Sequence, residues 1–189
     1  MRCLGKIIYV TGGARSGKSS FAEKKVFQLN KEKIYVATAI SFDEEMKERV
    51  RLHKIQRGEN WITIEAYKNL YKILEEYKEL NGVVLLDCLT NLVTNIMIMD
   101  RDINWDKITQ DIVKEIEEEI ENEIQKLIDF IKNSSLDMVV VSNEVGMGLV
   151  PPYALGRYFR DIGGRINQLI AKECHEAYLI VSGLELKLK

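Results

Sequence analysis

The stretch Tyr9–Ser20, YVTGGARSGKSS, limits what this chain can fold into more than any other part of it. An apolar run, Lys6–Thr11 (KIIYVT), stops at two glycines, and Gly12-Gly13-Ala14-Arg15-Ser16-Gly17-Lys18-Ser19 then completes the pattern GxxxxGK[ST]. Backbone N–H groups turn inward on an anion only in conformations open to glycine, and a helix that starts behind them adds the positive end of its dipole. The pattern therefore needs a strand before it and a helix after it. Both are present: KIIYVT is rich in β-branched and aromatic residues, and Ser19–Leu29 continues as a helix. In that setting Lys18 reaches the terminal phosphates of a nucleotide and the Ser19 hydroxyl binds Mg²⁺. The expected fold is α/β and P-loop NTPase-like.

The rest of the chain agrees with that class. Lys33–Thr38 (KIYVAT), Val83–Asp87 (VVLLD), Asp137–Ser142 (DMVVVS) and Ala177–Ser182 (AYLIVS) are short apolar runs, as buried strands are, and Trp61–Glu65 (WITIE) alternates. Between them lie segments with helical spacing. Leu70, Ile73, Leu74, Tyr77 and Leu80 form one such face. Ile112, Ile116, Ile120, Ile124, Leu127 and Ile131 form another, with Glu115, Glu117, Glu118, Glu119, Glu121 and Glu123 on a side read as solvated. Phe159, Ile162, Ile166, Leu169 and Ile170 form a third, and Leu184–Leu188 alternates like an edge strand. Apolar strands alternating with helices imply a mainly parallel sheet with helices on both faces, and ligands gather beyond the carboxyl ends of such strands. The phosphate loop, Thr38, Asp87 and Asn143-Glu144 all fall there. With 189 residues and no linker, residues 1–189 read as one catalytic domain.

Composition excludes several classes. A net charge of −2 gives no reason to expect a nucleic-acid partner. Cys3, Cys88 and Cys174 include no CxxC pair, which argues against a disulfide framework or a zinc site and for a reducing compartment. The N-terminal apolar run is too short for a signal peptide and no window approaches the ~18 apolar residues of a membrane span, so a cytoplasmic location is expected.

Two further positions bear on chemistry. Asp87, at the end of VVLLD, suits the second acidic group near Mg²⁺, or else caps the segment that follows. On a helix over Glu44–Arg57, Met46, Val50, His53 and Arg57 share a stripe, with Arg49, Arg51 and Lys54 nearby. A neutral imidazole held among cations can attack phosphorus, and the cations resist its protonation. Spacing alone favours a surface histidine on a charged helix. His175, before the last core strand, reads as structural or exposed.

GGARSGKS, YVATA, DEEMKERVRLHKIQR with WITIE behind it, LLDCLTNLVTN, VVVSNEVGMGLVP and LGRYFRDIGGRINQLIA occur in this order along almost the whole chain. Together they resemble the bifunctional adenosylcobinamide kinase/adenosylcobinamide-phosphate guanylyltransferase family of cobalamin biosynthesis. The resemblance implies two reactions. A nucleoside triphosphate, ATP or GTP, phosphorylates adenosylcobinamide, and GMP is then transferred from GTP to adenosylcobinamide phosphate through a GMP–histidine intermediate, releasing pyrophosphate. It implies His53 as the nucleophile. Leu52 stands where some members carry a second histidine, so that position offers no competing nucleophile. It further implies guanine-nucleotide contacts from Gly12–Ser19, from Ala37, Thr38 and Ala39, from Lys54, Ile55, Gln56 and Arg57, and from Glu65 and Asp87. Catalysis would use His53 and Lys18, Mg²⁺ would be held by Ser19 and Asp87, and the assembly would be a homotrimer. A carboxylate such as Glu65 accepts from the guanine ring N–H and amine together, an edge adenine does not offer. A simple P-loop small-molecule or nucleoside monophosphate kinase would explain the loop and leave His53 idle. A GTP-binding switch would call for an NKxD-type motif, which the chain lacks.

Overall fold

The computed structural model describes residues 4–39, 61–99 and 101–189. Seven strands form one sheet: β1 (Ile7–Gly12), β2 (Glu32–Ala37), β3 (Trp61–Glu65), β4 (Gly82–Asp87), β5 (Asp137–Asn143), β6 (Glu176–Val181) and β7 (Leu184–Lys187). Their order is β3-β2-β4-β5-β1-β6-β7, and every pairing is parallel except β6 with β7. The expected mainly parallel sheet is therefore found.

Period-two burial divides the core. Ile7, Tyr9, Ile34, Val36, Val84, Leu86, Met138 and Val140 face one large apolar layer. Ile8, Val10, Tyr35, Val83, Leu85, Val139 and Val141 face the other, against Ala22 and Val26 of helix α1 (Lys18–Leu29). Because both faces are covered, the strands carry no polar alternation, which is why they read as continuous apolar runs.

The larger layer is closed by α2 (Leu70–Ile73), α3 (Leu89–Ile98), α4 (Gln110–Lys132) and α5 (Ala154–Glu173). Thr109 caps α4 by accepting from the Ile112 N–H at 3.5 Å, and Val113, Ile116, Ile120, Ile124, Leu127 and Ile131 are buried along it. Ile112, assigned inward from its spacing, is 40% exposed. Val113 takes the inner place because it lies three residues before Ile116, on the same side as Ile120 and Ile124.

Two other expectations need correction. Leu70–Leu80 is not one α-helix: α2 lasts four residues and passes into a 3-10 turn at Leu74–Tyr77. Leu70 and Leu74 are buried as expected, but the chain must tighten to enter β4, and the Lys78 N–H bonds back only to Glu75. The acidic side of α4 is also not wholly solvated. Glu117 pairs with Arg165, Glu119 with Arg101 and Lys68, and Glu123 accepts from the Leu70 N–H.

At the opposite end of the sheet from the phosphate loop, the Lys6 ammonium and then the Tyr178 hydroxyl bond to the Glu176 carboxylate and hold its pKa down to about 2, from an ordinary 4.5. A depressed folded-state pKa stabilises above the unfolded value, and that gain is lost as pH falls from about 4.5 towards 2. Because the pair is open to solvent, the gain is about 1 kcal/mol. Glu176→Gln is expected to lower the urea-unfolding free energy by about that amount at pH 7, and the gap to wild type should close steadily below pH 4.5. A gap independent of pH would show that packing, not charge, carries the effect.

Candidate functional site

The phosphate loop joins β1 to α1 as the pattern requires. Gly17 sits at φ +94°, in the left-handed region, and a Cβ there would come 3.3 Å from the Cα of Gly183, so a side chain would meet both strain and another backbone. At Gly12 a Cβ would come within 2.5 Å of the Ile180 carbonyl oxygen. These contacts explain two of the loop's glycines. The third, Gly13, has open space around it.

Gly17 is the N-cap of α1 and supplies no side-chain acceptor, so the first N–H groups of the helix remain available to an anion. The loop is braced from outside: Gly183 N–H donates to the Ser16 carbonyl (2.8 Å), and Glu144 N–H donates to that of Gly12 (3.0 Å). Lys18 is buried, with Nζ donating to the Gly13 carbonyl at 3.0 Å across the loop. Burial lowers the pKa of its ammonium, while Cys88 and Asp87 act in the opposite direction. A desolvated cation with a nearby carboxylate suits a group whose partner is phosphate.

Register brings the acidic positions onto the same edge. Ala37 of β2 pairs with Glu65 of β3 on one side and Asp87 of β4 on the other. Asp87 Oδ2 accepts from the Tyr35 hydroxyl at 3.1 Å. Thr38 is the hub beneath: its Oγ1 donates to the Cys88 carbonyl (2.7 Å) and accepts from the Cys88 N–H (2.8 Å), while its own N–H donates to the Asp87 carbonyl (3.2 Å). Asn95 Nδ2 of α3 donates to the Thr38 carbonyl at 2.6 Å, and Asn143 Nδ2 donates to Thr90 Oγ1 at 2.8 Å. The buried Cys88 thiol lies among these groups, and burial raises its pKa, which makes it a packing element.

Ala37, Thr38 and Ala39 line a cleft of about 470 Å³ with Glu65, Tyr67 and Lys68. Sequence reasoning placed all of the first four there. It missed Tyr35, Thr90 and Asn95, the residues that fix Asp87, Asn143 and Thr38. The signal for Asn95 was its place directly before an apolar run, IMIM. His53, Lys54, Ile55, Gln56 and Arg57 lie outside the described residues, as does the expected helix over Glu44–Arg57.

Four charged residues on the loop after β5 and on α5 are engaged within the protein. Arg157 donates to the Pro151 and Pro152 carbonyls, Arg160 to that of Gly146, and Arg165 to Glu117. Glu144 Oε1 accepts from the Gly146 and Met147 N–H groups. Glu144 and Arg160 thus brace the same loop through its backbone. His175 is exposed, and its Nδ1 accepts from the Ile7 N–H at 3.0 Å, so both sequence readings of it hold.

The donor set suits Mg²⁺. Ser19 in the first turn of α1 and Asp87 at the end of β4 offer a hydroxyl and a carboxylate, both hard oxygen donors, and this ion completes its shell with waters and substrate phosphates. Among the described residues no cluster of three His, Cys, Asp or Glu side chains could hold a metal alone. No helix among them is long and apolar enough to cross a membrane.

Comparison with known proteins agrees with this architecture. The family model "Cobinamide kinase / cobinamide phosphate guanyltransferase" matches residues 8–188. The chain is 41% identical over 187 residues to the bifunctional adenosylcobalamin biosynthesis protein CobU of Escherichia coli K12, covering 97% of this chain and 99% of that one. To the CobU of Salmonella typhimurium LT2 it is 38% identical, with the same coverage. Among solved structures, an ATPase of a bacterial type III secretion system aligns with a TM-score of 0.52 at 12% identity, over 97% of this chain and 58% of that one, a likeness of fold.

Proposed function

The chain belongs to the cobinamide kinase/cobinamide phosphate guanyltransferase family, bifunctional enzymes of adenosylcobalamin biosynthesis, and from that premise we propose how its own residues divide the two transfers. In the first, the aminopropanol hydroxyl oxygen of adenosylcobinamide bonds to the terminal phosphorus of ATP or GTP. The bridging oxygen leaves with the nucleoside diphosphate, and the hydroxyl proton passes to a base. In the second, the His53 imidazole bonds to the α-phosphorus of GTP and pyrophosphate leaves. An oxygen of adenosylcobinamide phosphate then displaces the histidine, giving adenosylcobinamide-GDP.

The observation that carries this reading is the uncapped start of α1 with buried Lys18 beside it, on the same sheet edge as Glu65 and Asp87. The loop and Lys18 bind the β and γ phosphates, which are the leaving group of guanylyl transfer and the donor end of the kinase step. Glu65 orients guanine at the mouth of the Ala37–Ala39 cleft, and Lys54–Arg57 add contacts to the nucleotide. Ser19 and Asp87 would hold Mg²⁺, which would supply charge neutralisation at those phosphates. Family resemblance further supports one domain over residues 1–189, a homotrimer and a cytoplasmic location.

The test is to incubate the protein with Mg²⁺ and GTP labelled at the α-phosphate, then separate it under denaturing conditions. A covalent label lost in acid and stable in base is expected for a phosphoramidate. No label, with GTP binding shown separately, would leave a P-loop kinase without a covalent intermediate.

A further inference from the structure

A second cleft lies on the other side of the phosphate loop, with a volume of about 320 Å³. Gly13–Ser16 form one wall, Leu179–Ser182 at the end of β6 form another, and Glu144 and Met147 form the rim. Its lining shares no residue with the Glu65 cleft. Its size is at the lower end of the roughly 300–1,000 Å³ typical of small-molecule sites.

Two observations point to a ligand. In the loop wall Ser16, only 8% exposed, turns its buried hydroxyl towards Gly12, where it has no hydrogen-bond partner among the described residues. Buried hydroxyls are rarely left unpaired. Independently, Met147 (81% exposed) and Val181 (56% exposed) present apolar surface at the mouth of the cleft, across from Arg15 of the loop wall. Apolar walls beside a phosphate receptor suit the flat ring of a nucleoside. The carboxylate at hand could read guanine, but Glu144 Oε1 is already taken by the Gly146 and Met147 N–H groups.

Resting on the two-transfer reading above, we propose that this cleft is a second nucleoside subsite, which takes the base and ribose of the phosphoryl donor without selecting the base. One phosphate loop then serves two nucleotides that run in opposite directions. GTP for guanylyl transfer extends towards Glu65, and the kinase donor extends towards β6. In-line transfer places the leaving diphosphate opposite the acceptor, so a donor on the β6 side leaves the Asp87 side open to the incoming hydroxyl.

The test fills the cleft from two separate elements, with Val181→Trp and Met147→Trp, melting temperatures serving as the check on folding. Each variant is expected to raise the KM for ATP in the phosphorylation of adenosylcobinamide about tenfold or more, with the KM for GTP in guanylyl transfer within about twofold of wild type. Equal rises in both would overturn the proposal in favour of one shared nucleoside site, and no change in either would show that the cleft holds no nucleoside. Calorimetry with a non-hydrolysable ATP analogue and Mg²⁺ separates this from failure of the two-transfer reading. A protein without kinase activity whose affinity for the analogue falls about tenfold in both variants retains the subsite; unchanged affinity overturns it.

Discussion

Lys18→Ala is expected to lower both transfers together, each by about 10²- to 10³-fold in kcat/KM, the cost typical of removing one preorganised charge from a developing oxyanion. The side chain is buried and spans the loop to the Gly13 carbonyl, so its charge is held against the loop itself. Its removal affects pyrophosphate as leaving group in guanylyl transfer and the nucleoside diphosphate in phosphorylation, because one loop holds both. Parallel assays of phosphate transfer to adenosylcobinamide and of pyrophosphate release from GTP check this. A variant that kept either reaction at full rate would sink the shared-loop mechanism.

His53→Ala should separate the two activities. Without a nucleophile no covalent guanylyl-enzyme forms, and guanylyl transfer is expected to fall on the order of 10⁴-fold or more, as when an attacking group is deleted elsewhere. The kinase step needs no covalent intermediate and should keep most of its rate. The readout is the α-labelled band together with the two rates. Equal loss of both activities would contradict a role confined to attack on the α-phosphorus.

How far the sequence foretold this depended on what each signal encoded. The phosphate loop was legible because its glycines answer to local geometry: Gly17 to a left-handed backbone, Gly12 to the approach of β6. The strands were legible because both faces of the sheet are covered. Helix α3 was not assigned, since Thr90, Asn91, Thr94 and Asn95 favour helix poorly and mask the spacing of Leu89, Leu92, Val93 and Ile96. Its polar residues turned out to be structural, tying α3 to the end of β2 and to β5. The acidic face of α4 misled for a related reason: charge pattern within one helix does not say which cations the fold will bring to it. Arg165 lies 48 residues away in sequence from Glu117.

The placement of β1 has a consequence for how the molecule is made. Its neighbours in the sheet are β5 and β6, so the strand that carries the phosphate loop pairs with nothing before residue 137. During synthesis this apolar segment leaves the ribosome well ahead of β5 and β6 and waits for them before it can be paired. Closing such distant contacts costs loop entropy early and repays it late, so formation of the nucleotide receptor belongs among the last and slowest events of folding. Even with Glu144 in place, the loop lacks its second brace until Gly183 arrives behind β6.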